Sequence, residues 1–199
     1  MTQFRDHYQN PKITKWEIFH QVYGVLHQAE YCVTFADNLK RELPRIPFMA
    51  DFAAFADAER SLAKWHLDYE SVNPWPLEWF DTPGVPLSYD VTKMKLSKDK
   101  TTLTVNPSLT LAGIPPEVAR YRLGNRSALE WVVDQYQVSD DARSGIRSDP
   151  NRLDDSESIV RLVGQVVSVS VETVRIVEGL PTGLGVGLDG EPEPSPDLV

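Results

Sequence analysis

Apolar side chains recur every three or four positions from Trp16 onward: Phe19, Val22, Tyr23 and Leu26, then Tyr31, Phe35 and Leu39. That period predicts amphipathic helices. The first starts at Thr14, which stands three residues before Glu17 in capping-box spacing, with Ile13 and Ile18 at the staple positions. The second ends near Leu43, because Pro44 and Pro47 follow and proline cannot continue a helix. From Asp51 the period resumes in Phe52, Phe55, Leu62, Trp65 and Tyr69, with Arg60, Lys64 and Asp68 on the polar side.

The pattern changes after Asn73. Pro74, Pro76, Pro83 and Pro86 rule out a long helix. Leu87, Tyr89 and Val91 alternate with Ser88, Asp90 and Thr92, as a half-buried strand does. Met94 and Leu96 are out of step by one residue, which predicts a bulge near Thr92–Lys93. With Ser97–Lys100 as a turn and β-branched Thr101–Val105 returning, Val91–Asn106 reads as a hairpin with a lysine-rich tip. Ser127 and Glu130 repeat the capping-box spacing before Leu129, Val132, Val133 and Tyr136. Ser139–Asp155 is polar and belongs on the surface. Ile159 to Val177 suits a last helix, although Val167, Val169 and Val171 also alternate as a strand would.

The expected fold is α+β: one domain over 1–180, helical at 13–72, with a β-hairpin or small antiparallel sheet at 85–112 and helices over 115–180. Residues 181–199, rich in Gly, Pro and acid, are expected to be a disordered tail.

With 41% hydrophobic and 25% charged residues, the composition is that of an ordinary folded domain. No apolar run is long enough to span a bilayer, and the polar start lacks the core of a signal peptide. A single cysteine, Cys32, forms no internal disulfide and suits a cytoplasmic protein. The net charge of -9 argues at first against nucleic acid. Its distribution reverses that argument. Four carboxylates lie in 181–199 without a single base, whereas within 93–126 seven cations oppose only Asp99 and Glu117. Phosphates respond to the local field, so an acidic chain with one basic face still binds DNA.

Catalytic patterns are weak by comparison. Gly185, Gly187 and Gly190 match the spacing of a dinucleotide loop, but Pro192, Pro194 and Pro196 deny it the helix that receives the phosphate. His66 with Glu70, and His20 with His27, are pairs without the third ligand a metal site needs. No cofactor is expected, and no catalysis from this chain alone. The candidate DNA contacts are Lys93, Lys95, Lys98 and Lys100 for phosphates, followed by Arg120, Arg122 and Arg126 beside Asn125. Arg143, Arg147, Asn151 and Arg152 complete the set, because arginine and asparagine read guanine and adenine edges. The competing account is turn chemistry and solubility: Asp140, Asp141, Asp149, Asp154 and Asp155 lie close enough to neutralise the loop arginines.

Four segments go further. YCVTFADNLKRELPRIPF, AKWHLDYE, WVVDQYQVSDDARSGIRSDPNR and VSVSVETVRIVEGLP together resemble the C-terminal specificity domain of Type ISP restriction–modification enzymes, from about Ile13 to Pro181. The resemblance implies a part of a long polypeptide that also carries a nuclease, an ATP-driven helicase-type translocase and an adenine-N6 methyltransferase. In such an enzyme this part recognises an asymmetric sequence in double-stranded DNA and positions the methyltransferase and translocase, which with the nuclease are its expected partners. It brings no catalytic residues with it. The alternative is a docking module of the same enzyme, in which Trp16, Phe19, Tyr23, Tyr31 and Phe35 cover a partner without reading bases.

Overall fold

The computed structural model describes residues 1–185. Four helices come first: α1 (Thr2–His7), α2 (Lys15–His27), α3 (Ala29–Thr34) and α4 (Ala36–Leu39), followed by the longer α5 (Phe52–Leu67). Strands β1 (Glu78–Asp81), β2 (Lys95–Leu96), β3 (Thr102–Asn106) and β4 (Leu109–Ala112) then form one antiparallel sheet in the order β1-β4-β3-β2. Two short hairpins flank α6 (Ala128–Gln135): β5 (Arg122–Leu123) with β6 (Arg126–Ser127), and β7 (Ser139–Asp140) with β8 (Arg147–Ser148). Helix α7 (Ser158–Glu178) closes the order. The α+β class expected from the pattern is the class observed. The described residues divide into two compact units, Met1–Lys64 with the segment from Arg175 onward, and Trp65–Val174.

In the first unit the Thr14 capping box forms as its spacing demands. The Thr14 hydroxyl accepts from the Glu17 backbone N–H, and the Glu17 carboxylate accepts from that of Thr14. The helix does not bury the face its aromatics suggested. Gln21, Gly24 and Val25 face inward, while Trp16 and Phe19 are 70% and 52% exposed; of the other aromatics offered as a docking surface, Tyr31 is buried and Tyr23 and Phe35 are half-buried. Gly24 explains the choice, since a Cβ there would lie 2.8 Å from the Phe55 carbonyl oxygen on α5. Close approach at a residue without a side chain fixes which face is covered, whatever the hydrophobic count predicts. Next to it, the His20 imidazole meets the Glu59 carboxylate, which is 1% exposed. The predicted second helix is interrupted at Phe35, so Tyr31 and Leu39 stand on separate short helices. The start of the expected tail is anchored: Gln28 Nε2 donates to the carbonyls of Pro181 and Gly183 at 2.8 and 3.0 Å. The rest of that tail, with Gly187 and Gly190 of the dinucleotide-like pattern, lies outside the described residues.

In the second unit Leu103 and Val105 of β3 and Leu109 and Leu111 of β4 point to one core, with Thr104 exposed on the other face of β3. Val163, Val167 and Val171 of α7 enter the same core. The opposite side of α7 is covered as well. Gln165 and Ser168 donate to the carbonyls of Glu70 and Asn73, and a Cβ on Gly164 would meet Pro74 at 2.8 Å. A helix buried on two sides has valines all round, which is why 167–171 also resembled a strand.

Three expectations are corrected here. Leu87–Val91 is not a strand, and the register irregularity falls between Thr104 and Asn106, not at Thr92–Lys93. Side-chain amides replace a ladder along 87–91. Asn106 Nδ2 donates to the carbonyls of Ser88 and Asp90, both at 2.8 Å, and Val91 N–H donates to Asn151 Oδ1 at 2.8 Å. The alternation was real but reported Val91 turning inward, and no neighbouring strand exists among the described residues to pair with it. The fourth strand is β1, hidden in the proline-rich stretch. All four of its residues are exposed, as suits an edge. The expected helical region 115–180 also contains the two short hairpins.

Candidate nucleic-acid interface

The lysine tip is built by the β2–β3 turn. Ser97 N–H donates to the Thr102 carbonyl, and Lys100 adopts a φ of 64° to close the loop. Lys93, Lys95 and Lys98 are exposed, and none of their side chains has a hydrogen bond or ion pair among the described residues. Lys100 differs. Its ammonium is bound to the Glu130 carboxylate on α6, which also accepts from the Ser127 backbone N–H at 2.8 Å in a second capping box. The Lys100 hydrogen bond first, and the Ser127 bond next, hold the Glu130 carboxyl down at about 2, below its ordinary 4.5. The folded state therefore favours the ionised form. Its contribution to stability is complete above about pH 4.5 and disappears as the pH falls towards about 2. Urea midpoints measured across that window should fall for the native chain and fall less for Glu130→Gln, which keeps a cap but not the charge. Equal slopes for the two proteins would remove Lys100–Glu130 as an acid-sensitive tie.

Arg122 and Arg126 lie on the β5–β6 hairpin, whose turn needs Gly124 at a φ of 70°. The Arg122 guanidinium donates to the Asn125 carbonyl. Arg126 Nη1 donates to Asp134 Oδ2 at 2.5 Å. Arg120 is exposed just after the 3-10 turn Pro116–Ala119. Lys93 and Arg126 both border a concavity of about 250 Å3 against α6, with Glu130, Asp134 and Gln137 in its wall.

The loop arginines sit on the β7–β8 excursion. Arg147 is 3.8 Å from Asp140, and the Arg143 backbone N–H donates to Asp141 Oδ1 at 2.8 Å. That bond, with a second from Ser144, holds the Asp141 carboxyl below its usual range. Arg152 borders a separate hollow of about 190 Å3 with Arg161, a cation on α7 that the loop pattern did not suggest and that is paired with Asp155. Asn151 is committed elsewhere: its Oδ1 accepts from Val91 N–H, and its Nδ2 donates to the Val91 carbonyl at 2.9 Å. Val138 N–H donates to the Thr92 carbonyl, also at 2.9 Å. Both ends of the arginine loop are thus stitched to the segment leading into Lys93. The hairpin, α6 and the loop converge there, although they are distant in sequence. Asp134 and Gln137 had no signal in the pattern, because Arg126 and Asp134 are eight residues apart on different elements.

Among the described residues there is no cluster of three potential metal-ligating side chains, and no helix is long and apolar enough to cross a membrane.

Short helices make up most of the first unit, and the second packs α6 and α7 against a small antiparallel sheet, so the chain is an α+β protein with Lys93 and Arg126 bordering one groove of the second unit. Residues 1–162 match the Type ISP C-terminal specificity domain, and the chain belongs to that family. It is similar to a nuclease-deletion mutant of the Type ISP restriction–modification enzyme LlaGI, solved in complex with a DNA substrate mimic. The identity is 37% and the TM-score 0.77, over 85% of this chain and 16% of that one. LlaBIII, an ATP-dependent Type ISP enzyme bound to DNA, is 30% identical with a TM-score of 0.79, over 89% of this chain and 12% of that one. The DrdV–DNA complex gives 37% and 0.81, over 92% and 19%. The chain thus spans less than a fifth of each of these proteins. No curated protein matches it.

Proposed function

We propose that this chain recognises a sequence in double-stranded DNA for a Type ISP-like enzyme, whose nuclease, translocase and methyltransferase activities reside in other domains. One observation carries the reading. Lys93 and Arg126 border one groove, and the segment Val138–Asn151 that carries Arg143 and Arg147 is tied at its ends to Thr92 and Val91, on a chain of net charge -9. A protein that is acidic overall has no need to concentrate unpaired lysines for solubility, whereas a duplex attracts such a rim. The similar enzymes solved with DNA support the same reading. The lysines supply register on the backbone and the arginines supply discrimination.

Fluorescence anisotropy of the full chain on a labelled duplex tests this. Binding should be salt-sensitive, with a non-specific Kd of roughly 10⁻⁴–10⁻⁶ M near physiological salt. Affinity that does not change between low and high salt would overturn the reading.

A further inference from the structure

We propose that the groove between Lys93 and α6 is where a base edge is read, and that Arg126, positioned by Asp134, takes a guanine there. The inference rests on the DNA-recognition reading and specifies its ligand. Arg126 stands on β6 immediately before the Ser127 cap of α6, so its backbone is fixed from both sides, by the Leu123 pairing and by the capping box. Its side chain is 46% exposed and uses Nη1 on Asp134, at 2.5 Å. A guanidinium has five N–H donors in a rigid fork, so the bond to Asp134 leaves donors for a second planar acceptor pair. Guanine O6 and N7 are that pair in the major groove.

The carboxylates in the groove do not cancel its attraction for DNA. Glu130 is occupied by Lys100 and the Ser127 N–H, and Asp134 by Arg126, which leaves Lys93 on the rim unpaired. Each acid instead holds a cation in one orientation, which lowers the entropy lost when that cation binds. Gln137, also in the wall, is fixed in turn, with its Nε2 donating to the Asp134 carbonyl at 2.8 Å. A fixed guanidinium fork also grips phosphate bidentately, so the mark of guanine reading is base preference at one position and not affinity.

The test is selection of bound duplexes from a random library by the full chain, the Arg126→Lys variant and the Asp134→Asn variant. The native chain should select a motif containing guanine. Arg126→Lys keeps the charge, so its salt dependence should be unchanged. Discrimination for guanine at one position should drop by roughly tenfold or more, with the other positions intact. Asp134→Asn removes a negative charge, so total affinity should rise while preference at that same position falls. A merely electrostatic role predicts the rise without the loss of preference, and that result would overturn the proposal. So would a native chain that binds duplexes without base preference. A native chain that does not bind duplex at all would instead bring down the broader reading on which this one stands.

Discussion

Replacing Lys93, Lys95 and Lys98 together by Glu should reduce duplex affinity by roughly a hundredfold at low salt, the largest functional effect expected of any surface change here. The three side chains are exposed and unpaired among the described residues, so reversal removes attraction without breaking an internal bond. The slope of log K against log salt should flatten by about 0.9 for each phosphate that is no longer neutralised. Lys100 is left out of the set on purpose. Its ammonium is bound to Glu130, and reversing it would loosen α6 as well as change the surface. Thermal melting should show the triple variant as stable as the native chain. A variant that melts normally and binds duplex with unchanged affinity and slope would show that the hairpin faces away from DNA.

The largest loss of stability outside the apolar core should come from Asn106→Ala. Asn106 is 8% exposed, and both halves of its amide are used. Nδ2 serves the Ser88 and Asp90 carbonyls, while Oδ1 accepts from the backbone N–H groups of Ser108 and Leu109 at 2.8 and 3.0 Å. Alanine would leave several backbone groups without partners at a buried site, each costing about 1–3 kcal/mol when unsatisfied. Water can reach some of them, so a total of about 3–4 kcal/mol is expected from urea unfolding. Because the same amide shapes the approach to Val91–Lys93, the variant should also bind duplex more weakly at temperatures where it is still folded. A loss below about 1 kcal/mol would mean that the 87–91 segment is held by its own preferences instead.

These two expectations differ in how far the sequence reveals them. The lysine-rich tip was visible directly, because turn residues and alternating β-branched positions are local signals, and the observed turn lies where they put it. The clasp was not visible. Asn106 lies 16 and 18 residues from the carbonyls it serves, and Asn151 lies 60 residues from Val91. Asn151 was a reasonable candidate for reading adenine on residue chemistry alone. With its amide closed on the Val91 backbone, it is better understood as the residue that ties the arginine loop beside Lys93. Arg126 and Asp134 follow the same logic. Each is ordinary in sequence, and only the turn of α6 against the β5–β6 hairpin makes one the holder of the other.

Local chemistry by itself determined the two capping boxes, the start of α2, the inward turn of Phe55 and Leu62 on α5 and the position of the hairpin turn, because each depends on residues within one or two helical turns or a single loop. The family likeness was legible for a similar reason, since it rests on runs of residues that stay together. Tertiary structure alone decided that α2 turns its aromatics outward at Gly24, that α7 is covered on two sides, that 87–91 is held by amides, and which cations are paired. Burial, close approach and charge pairing join atoms far apart in the chain, so no local period records them.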